Sequence, residues 1–549
     1  MSSLISIAAT LLLLAQGPAS PDSKSAEKLP PPCRVSGRVV TAAEGTAVKS
    51  ARVVLIPEHR SREGQAYASA SDSSGGFTIK NVPAGRYRFL ATHTGFVDQH
   101  YQSNGADMGA VLALQAGQEV KDVLFRLTLA SVITGRVDDE DGEPTALIQV
   151  IALRRPTEDE LEDQERLPGR SRELQPAGVT QTDDRGQYRL FGLKPGEYYV
   201  KAVEQLEPNY RVPETDMDLH EALGTQYAPI YYPGVTQMGQ AETVMLTPGE
   251  EAHAEFVMRR IKTADISGRV IGPDGKPADA FLYLEEVPAA DYGIFYAIDT
   301  DTKGEFKIKG VAPGSYVLHA DQHSQEDERH QAAQKIEVGS DNVESITLSL
   351  GRGVSFSGLV RVSAAGKVSF ERMYVILASP DDQSANAWAR VKKDGTFQFT
   401  DVPEGTFAFS VGGLEENWYL KSVQLGADDV LAGGLVVEKG ETQGTLQVVV
   451  SNEGAEVAGS VTQDDKPVIG ARVRIMPDPE TRYNRLRRRT TSTDQSGRFS
   501  FVVLAPGQYR LAAKISAAGE NLSSEPKSVS LSEHDHKSIE LTIPSTPAQ

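Results

Sequence analysis

The sequence predicts an all-β protein built as a tandem array of about five seven-stranded β-sandwiches. One pair of turn motifs occurs five times along the 549 residues. Between the turns apolar and polar residues alternate, a period typical of strands with one buried face. Segments with helical periodicity are nearly absent, and the 49 glycines and 30 prolines indicate many turns. The length also favours several domains, since one domain usually takes about 100–200 residues.

The first turn motif reads Asp/Lys-x-x-Gly-x-aromatic, and a second Gly-x-aromatic step follows it. The motif glycines and aromatics are Gly75-x-Phe77 and Gly85-x-Tyr87, Gly186-x-Tyr188 and Gly196-x-Tyr198, Gly304-x-Phe306 and Gly314-x-Tyr316, Gly395-x-Phe397 and Gly405-x-Phe407, and Gly497-x-Phe499 and Gly507-x-Tyr509. The two glycines are ten residues apart in all five repeats. Asp favours a turn by bonding its own backbone, and Gly takes positive φ without strain.

Each pair of motifs is interpreted as a β-hairpin with an aromatic residue at the start of each arm. Steps such as Pro195-Gly196 predict a type II turn, because proline fixes the first φ. The aromatic residues alternate with valines and leucines, so they are expected in the core. Most of the second aromatics are tyrosines, whose buried hydroxyl groups are expected to find a partner.

Around each pair of turns lie an opening strand, a second apolar strand and a closing strand. The opening strands share an apolar-x-Gly-x-Val pattern, as at 35–39 and 266–270. The predicted sandwiches cover residues 33–130, 131–262 with a charged insertion at 156–176, 263–351, 352–452 and 453–544, with a linker at 21–32 and a tail at 545–549.

The joins between the predicted sandwiches are short. Only a few residues separate the closing strand at 346–350 from the next opening strand. Short joins favour a rod or gently bent string. With each domain having a radius of gyration near 13 Å, five in line would span roughly 150 Å.

The N-terminus is interpreted as a cleaved signal peptide over residues 1–20. Residues 4–15 are apolar and small residues follow them, although no Lys or Arg precedes the run. The run is too short to span a bilayer, which needs about 20 residues. A buried strand is the alternative. The signal predicts an exported protein, periplasmic, on the cell surface or extracellular, with no transmembrane segment in the mature chain.

The charge argues against nucleic acid as a partner. The net charge is −19 and the pI is near 5.1, whereas phosphate binding needs a basic face. Cys33 is the only cysteine, so the chain forms no internal disulfide. We interpret it as a small residue beside the first strand.

The order of these motifs resembles the carboxypeptidase regulatory-like domain. It combines apolar-Ser-Gly-x-Val, Ala-x-Val, Asp-x-x-Gly-x-Phe and Pro-x-Gly-x-Tyr, and it extends over most of the chain. The resemblance implies a transthyretin-like, seven-stranded sandwich, close in fold to some carbohydrate-binding modules. In that family the domain is an accessory of metallopeptidases, surface proteins or outer-membrane receptors, so the resemblance implies no cofactor.

Candidate metal and catalytic motifs are weak. His323 and Glu326 have zinc-ligand spacing but lack a suitably placed third ligand, which zinc catalysis requires. Residues 299–304 begin like a calcium loop, but Lys303 replaces one acidic ligand. His534 and His536 fit an exposed turn. We therefore expect no catalytic residue, metal or cofactor, and a metallocarboxypeptidase-type enzyme is the least favoured alternative.

The repeats differ most in the segment before each first turn, and variable loops on a repeated scaffold are where binding usually occurs. The weak candidate ligand-binding residues are Tyr292, Tyr296, Trp388, Arg485, Arg487 and Arg488. Exposed aromatic rings would suit sugar rings, and the basic run would suit an anionic polymer. The predicted function is a non-catalytic structural or carbohydrate-binding module of the cell envelope, with a polysaccharide or an envelope protein as partner. The alternative is an accessory subunit of a separate outer-membrane receptor or peptidase.

Overall fold

The computed structural model describes most of the chain. The described residues are 30–58, 65–103, 109–157, 160, 174–204, 225–287, 296–323, 329–351, 353–363, 368–380, 386–415, 417–438, 444–517 and 520–545. The predicted signal peptide, residues 59–64 and most of the charged insertion lie outside them.

Within these ranges, forty-four strands form five successive sandwiches, which confirms the predicted fold class. Sandwich 1 contains β1–β8, at Cys33–Thr41, Arg52–Pro57, Tyr67–Ala70, Gly76–Val82, Gly85–Thr92, Gln99–His100, Val111–Leu114 and Glu119–Leu127. Sandwich 2 contains β9–β19, at Ser131–Asp138, Ile148–Arg154, Gln175–Gln181, Gln187–Leu193, Gly196–Glu204, Thr225–Tyr227, Ile230–Tyr231, Val244–Leu246, Glu251–His253, Phe256–Val257 and Arg260–Lys262.

The remaining strands form three further sandwiches. Sandwich 3 contains β20–β26, at Ala264–Ile271, Phe281–Glu286, Tyr296–Asp299, Glu305–Val311, Gly314–His323, Arg329–Val338 and Val343–Ser349. Sandwich 4 contains β27–β35, at Val354–Val362, Tyr374–Ala378, Ala387–Arg390, Thr396–Val402, Gly405–Gly412, Tyr419–Leu425, Asp428–Asp429, Leu435–Val437 and Leu446–Ser451. Sandwich 5 contains β36–β44, at Ala455–Gln463, Lys466–Pro467, Arg472–Pro477, Arg489–Ser492, Arg498–Leu504, Gly507–Ala517, Glu520–Ser523, Lys527–Leu531 and His536–Thr542.

Helical structure is confined to short pieces in the described residues. One α-helix, α1, covers Val430–Gly433, and 3₁₀ turns cover Met238–Gln240 and Arg485–Arg487.

Sandwich 3 shows the plan in its simplest form. Its first sheet has the order β23-β20-β26, and its second sheet has the order β22-β21-β24-β25. The opening strand β20 is central in the first sheet, antiparallel to β23 and parallel to the closing strand β26. Apolar residues from both sheets, such as Ile266, Leu282 and Leu318, are fully buried between them. The face of the second sheet that turns away from this core is called the outer face below.

The glycine of each opening strand permits close contact between strands. A Cβ atom on Gly135 would lie 1.8 Å from the carbonyl oxygen of Ala254, and one on Gly459 would lie 1.8 Å from that of Ile539. Any side chain at these positions would force the opening strand away from its neighbours. The recurrent glycine in the opening-strand pattern is therefore a packing requirement.

The Asp-x-x-Gly turns form as predicted. In sandwich 3, Asp301 accepts hydrogen bonds from the backbone N–H groups of Lys303 and Glu305, both at 2.8 Å. Gly304 takes a φ of 71°, a conformation that glycine adopts without a steric penalty.

The hairpin prediction is wrong. In sandwich 3 the first arm, β23, pairs with β20 in the first sheet, whereas the second arm, β24, pairs with β21 in the second sheet. The same division holds in the other four sandwiches. The chain crosses from one layer to the other at this turn, so the two arms face each other through the core. The type II prediction is also wrong, since Gly196 has a φ of 150°, far from the usual value of about 80°.

The tyrosine that opens the second arm ties down this crossing. The hydroxyl groups of Tyr87, Tyr198, Tyr316 and Tyr509 each donate to the backbone carbonyl four residues earlier, at 2.7 to 3.0 Å. The predicted partner for the buried hydroxyl is thereby confirmed. Sandwich 4 has Phe407 at this position and is the exception.

Sandwich 5 contacts sandwich 1, so the prediction of an extended rod is wrong. Gln495 exchanges two hydrogen bonds with the backbone of Ala113, at 3.0 and 2.7 Å. Arg86 lies 2.7 Å from Glu58 and 3.4 Å from Asp494. Residues 382 positions apart in sequence therefore touch.

Side-chain contacts at the joins also fix how neighbouring sandwiches are oriented. Gln226 of sandwich 2 bonds the hydroxyl of Tyr296 in sandwich 3 at 3.0 Å. Glu533 of sandwich 5 binds Tyr419 at 2.9 Å and Lys421 at 2.7 Å, both in sandwich 4. The short joins in the sequence do not predict these contacts between side chains. In this array the contacts at the joins occur together with the contact between the first and last sandwiches.

Candidate functional site

The outer face of sandwich 4 carries exposed aromatic side chains on regular strands. In β28, Val375 and Leu377 point into the core and are fully buried. Successive residues of a strand point to opposite faces, so Tyr374 and Ile376 lie on the outer face. Tyr374 is 42% exposed, and the ring is therefore available to a ligand.

Gly412 provides the surface on which the Tyr374 ring lies. The two residues are directly opposite in the pairing of β28 with β31. A Cβ atom on Gly412 would lie 2.2 Å from the tyrosine Cζ and 2.5 Å from its Cε2. The ring therefore occupies the space that any side chain at 412 would need. It lies against the sheet, with its other face open to solvent.

Trp388 extends this aromatic surface. It lies on β29, opposite Ile376, and is 47% exposed. Arg390 lies opposite Tyr374 on the same face. Tyr374 and Trp388 are thus diagonal neighbours, a relation that usually separates Cα atoms by about 7–8 Å. Two rings at this spacing form a platform longer than either ring alone.

The polar groups of the platform lie at its edges. Arg390 is exposed and forms no ion pair with any described residue. Ser410 lies opposite Ile376 and is half-buried. The face thus combines flat apolar surface with a cation and a hydroxyl, whereas buried strands of the inner face are wholly apolar. Such a surface can pack against the apolar face of a ring and hydrogen-bond its substituents.

The equivalent face of sandwich 2 is closed. Ile151 and Val203 are fully buried there, and they pack with Leu153 and Leu174. Tyr231 also packs on this small core. The chain itself covers this face, so it offers no surface to a ligand.

The equivalent face of sandwich 3 is mixed in character. Phe281 is 40% exposed, and Tyr283 stacks on His319 with ring centroids 4.6 Å apart. His319 is itself buried, and its Nε2 lies 3.1 Å from Glu285. On this face of sandwich 3 the rings of Tyr283 and His319 stack on each other. The aromatic surface of sandwich 4 is therefore more open to a ligand.

The candidate residues from the sequence are placed in several different settings. Trp388 lies on the platform. Tyr296 is buried, contrary to the expectation of an exposed ring, because its hydroxyl bonds Gln226 and the backbone N–H of Ala312. Burial raises the pKa of Tyr296 to about 12. Tyr292 lies outside the described residues.

Two of the three candidate arginines lie in a 3₁₀ turn of sandwich 5, and the third follows this turn directly. Arg485 and Arg487 are half-buried within this turn. Arg488 is buried and pairs with Glu480. None of the three side chains is fully exposed, and none of them lies on the aromatic platform.

Sequence reasoning missed Tyr374 and Gly412. The available signal was the alternation in β28, which places Tyr374 on the same face as Ile376. Nothing local connects this strand to Gly412, which comes 38 residues later. The seat for the ring becomes visible only when β28 and β31 pair.

The weak metal motifs gain no support from the structure. Within the ranges described above, no three His, Cys, Asp or Glu side chains converge on a point. Asp301 is engaged by its own turn, and His536 lies 3.3 Å from Glu456 on an exposed surface. Glu326 lies outside the described residues. Cys33 is buried, and its thiol donates to the carbonyl of Gln115 at 2.9 Å.

A model of the carboxypeptidase regulatory-like domain matches residues 34–128. This range contains nearly all of sandwich 1, and it confirms the resemblance inferred from the motifs there. No curated protein matches the chain. In the described part of the chain, no helix has the length and apolar character needed to cross a bilayer.

Solved structures with some likeness include two pilins and the Bacillus anthracis TIE protein. A streptococcal ancillary pilin is 11% identical, covering 58% of this chain and 98% of its own, with a TM-score of 0.21. GBS52, a minor pilin of Streptococcus agalactiae, is 17% identical, covering 40% and 96%, with a TM-score of 0.18. The Bacillus anthracis TIE protein is 10% identical, covering 90% and 74%, with a TM-score of 0.14. Scores this low carry no inference about function.

Proposed function

We propose that this chain is an exported, non-catalytic structural module of the cell envelope that binds a polysaccharide on the outer face of sandwich 4. The observation that carries the proposal is the Tyr374 ring seated on Gly412, beside the exposed Trp388. The apolar run at residues 4–15 supports export. The repeated sandwich plan and the family resemblance support a structural role.

The chemistry favours a neutral or weakly charged sugar chain. Pyranose rings present flat C–H faces that pack on aromatic rings, while their hydroxyl groups bond polar groups at the edge. An open platform with two rings binds an extended chain better than a single compact molecule, which would be bound in a deeper pocket. Rigid strands fix both rings before binding, which lowers the entropy lost on association.

Affinity electrophoresis of the purified protein in gels containing cellulose derivatives, xylan, mannan or pectin tests the proposal. We expect at least one polysaccharide to retard the protein, and Trp388→Ala to weaken this retardation at least tenfold, which corresponds to about 1.4 kcal/mol. Gly412→Val should act in the same direction, because its side chain displaces the Tyr374 ring.

Phe191→Ala is the matched control. Phe191 is an aromatic residue that is 71% exposed, and it lies on β12 of sandwich 2 rather than on sandwich 4. Its loss should leave the retardation unchanged. The proposal fails if no polysaccharide retards the folded protein, or if Phe191→Ala and Trp388→Ala weaken binding equally. Stable co-purification with a receptor or peptidase in the absence of sugar binding would favour the accessory-subunit alternative.

A further inference from the structure

A cavity of about 350 Å³ lies between sandwich 4 and sandwich 5. On one side its wall is formed by the end of β31 and by α1, and on the other by the 3₁₀ turn Arg485–Arg487 and the end of β40. Side-chain contacts join sandwiches 4 and 5 to each other. Glu533 holds Tyr419 and Lys421, and the hydroxyl of Thr481 donates to the carbonyl of Ala432 at 3.1 Å.

Most of the wall is aromatic or aliphatic. Trp418 and Tyr419 are almost fully buried, and Leu431, Tyr483 and Tyr509 complete the apolar part. The volume is near the lower end of the range for small-molecule sites, about 300–1,000 Å³. A ligand with a single ring fits this space, and a long polymer chain does not.

Two arginines supply the charge. Arg487 donates from Nη2 to the carbonyl of Pro506 at 3.0 Å and to the hydroxyl of Tyr509 at 2.9 Å. These bonds fix the guanidinium group 5.7 Å from the centre of the Tyr509 ring. Only one of its nitrogens is used by them, so the remaining N–H groups stay available. Arg487 forms no ion pair with a described carboxylate.

Arg489 lines the same cavity and reaches solvent. It makes only long backbone contacts, to Leu486 and Arg488 at 3.3 Å. It too has no ion-pair partner among the described residues. Glu415 is the one acidic residue of the lining, so the two arginines leave the wall net positive.

We propose that this cavity is a binding site for a small organic anion in which a carboxylate is carried on a single ring. Arginine pairs carboxylates through two parallel N–H···O bonds, which gives both strength and orientation. An anion would also relieve the repulsion between two like charges in a partly desolvated cavity. The aromatic wall takes the ring, and an aromatic acid or a free uronic acid meets both requirements.

Isothermal titration calorimetry with 4-hydroxybenzoate and with D-glucuronate tests the site and separates the two sources. Phenol and D-glucose are the matched ligands without a carboxylate. We expect one acid to bind with a dissociation constant of millimolar or lower, and the corresponding uncharged ligand to bind at least tenfold more weakly. Binding of 4-hydroxybenzoate identifies an aromatic acid, and binding of glucuronate identifies a uronic acid.

Arg489→Gln should weaken acid binding at least tenfold, and because Arg489 makes few structural contacts, this variant should fold. Arg361→Gln, which removes an exposed arginine from β27, is the matched control and should bind normally. Arg487→Lys should also weaken binding, because lysine retains the charge but loses the planar fork.

The inference is overturned if neither acid binds the folded protein, or if Arg489→Gln binds the acids as well as Arg361→Gln does. The cavity shares only Ser410 with the sugar platform, and the two proposals rest on different ligands and different aromatic residues. Trp388→Ala should leave acid binding unchanged, so a failure of one proposal is distinguishable from a failure of the other.

Discussion

The outer faces of sandwich 2 and sandwich 4 start from the same strand arrangement and end with opposite properties. In sandwich 2 the outward residues Ile151 and Val203 are fully buried by other parts of the same chain. In sandwich 4 the outward residues Tyr374 and Trp388 are almost half exposed. The inner faces of the two sandwiches, in contrast, are packed alike with apolar residues.

The difference lies in the chain that follows the second strand. After β10 ends at Arg154, about twenty residues precede β11, and Leu174 at the end of this segment packs on the outer face. After β28 ends at Ala378, only eight residues precede β29. The sandwich fold requires apolar residues on each inner face. The exposure of the outer face depends on the segments between strands. One sandwich can therefore add to stability on a face that another leaves free for binding.

A large difference in stability is expected from truncating matching isoleucines on the two faces. Ile151→Ala in sandwich 2 should lower the free energy of unfolding by about 3 kcal/mol, because it removes a fully buried side chain and leaves a cavity. Ile376→Ala, at the half-buried position of sandwich 4, should cost about 1 kcal/mol. Urea denaturation of the two variants measures both values. Equal losses would show that the two faces are packed alike, and the comparison would be wrong.

A smaller effect is expected from removing the hydroxyl group of Tyr198 alone. Tyr198 closes the layer crossing of sandwich 2 by bonding the carbonyl of Lys194 at 2.7 Å, whereas sandwich 4 has Phe407 there. Tyr198→Phe keeps the ring and removes this bond, so it should cost about 1 kcal/mol. Tyr198→Ala should cost about 3–5 kcal/mol because it also removes the ring. If the two variants melt at the same temperature, the ring of Tyr198 does not contribute more to the stability than its hydroxyl group.

The smallest effect concerns Arg154, at the end of β10, and Glu160, which follows it. Arg154 binds Glu160 at 2.5 and 2.7 Å, and this hydrogen bonding lowers the pKa of Glu160 to about 2. The folded pKa lies below the unfolded value near 4.5, so the pair stabilises the fold above pH 4.5 and loses this effect as the pH falls towards 2.

Glu160→Gln should therefore cost less than about 1 kcal/mol at pH 6, since the pair is partly exposed and screened by solvent. The difference from the parent protein should shrink at pH 2.5. Urea midpoints at the two pH values provide the measurement. A difference that stays the same at both values would mean that the carboxylate charge does not contribute.

The repeat motifs predicted the sandwiches well because their causes are local. Asp301 and Gly304 form a turn through bonds within five residues, and Tyr316 finds its partner four residues away. The hairpin error has the opposite origin. Which sheet each arm joins depends on pairing with strands far away in sequence, and the ten-residue interval is compatible with a hairpin and with a layer crossing.

The candidate site was only partly predictable for the same reason. Trp388 stood out as a rare aromatic residue before a turn, and it lies on the platform. Tyr374 depends on Gly412, and this pairing crosses from β28 to β31. Tyr296 looked similar to Trp388 in sequence, yet Gln226 of the preceding sandwich encloses it. Contacts between sandwiches leave no periodic pattern in a single sequence.

Sandwiches 1 and 5 belong to one chain, so the contact between them can form with less binding free energy than a contact between separate molecules. Gln495, Ala113 and the Arg86 ion pairs take part in this interface. The Arg86, Glu58 and Asp494 side chains are only 5–20% exposed, so the cost of desolvating them offsets much of their mutual attraction. Two separate molecules would hardly associate through them. Within one chain the partners are tethered, and tethering can give an effective concentration in the millimolar range or above. A contact of modest net strength can thereby bring the first and last sandwiches of one molecule together.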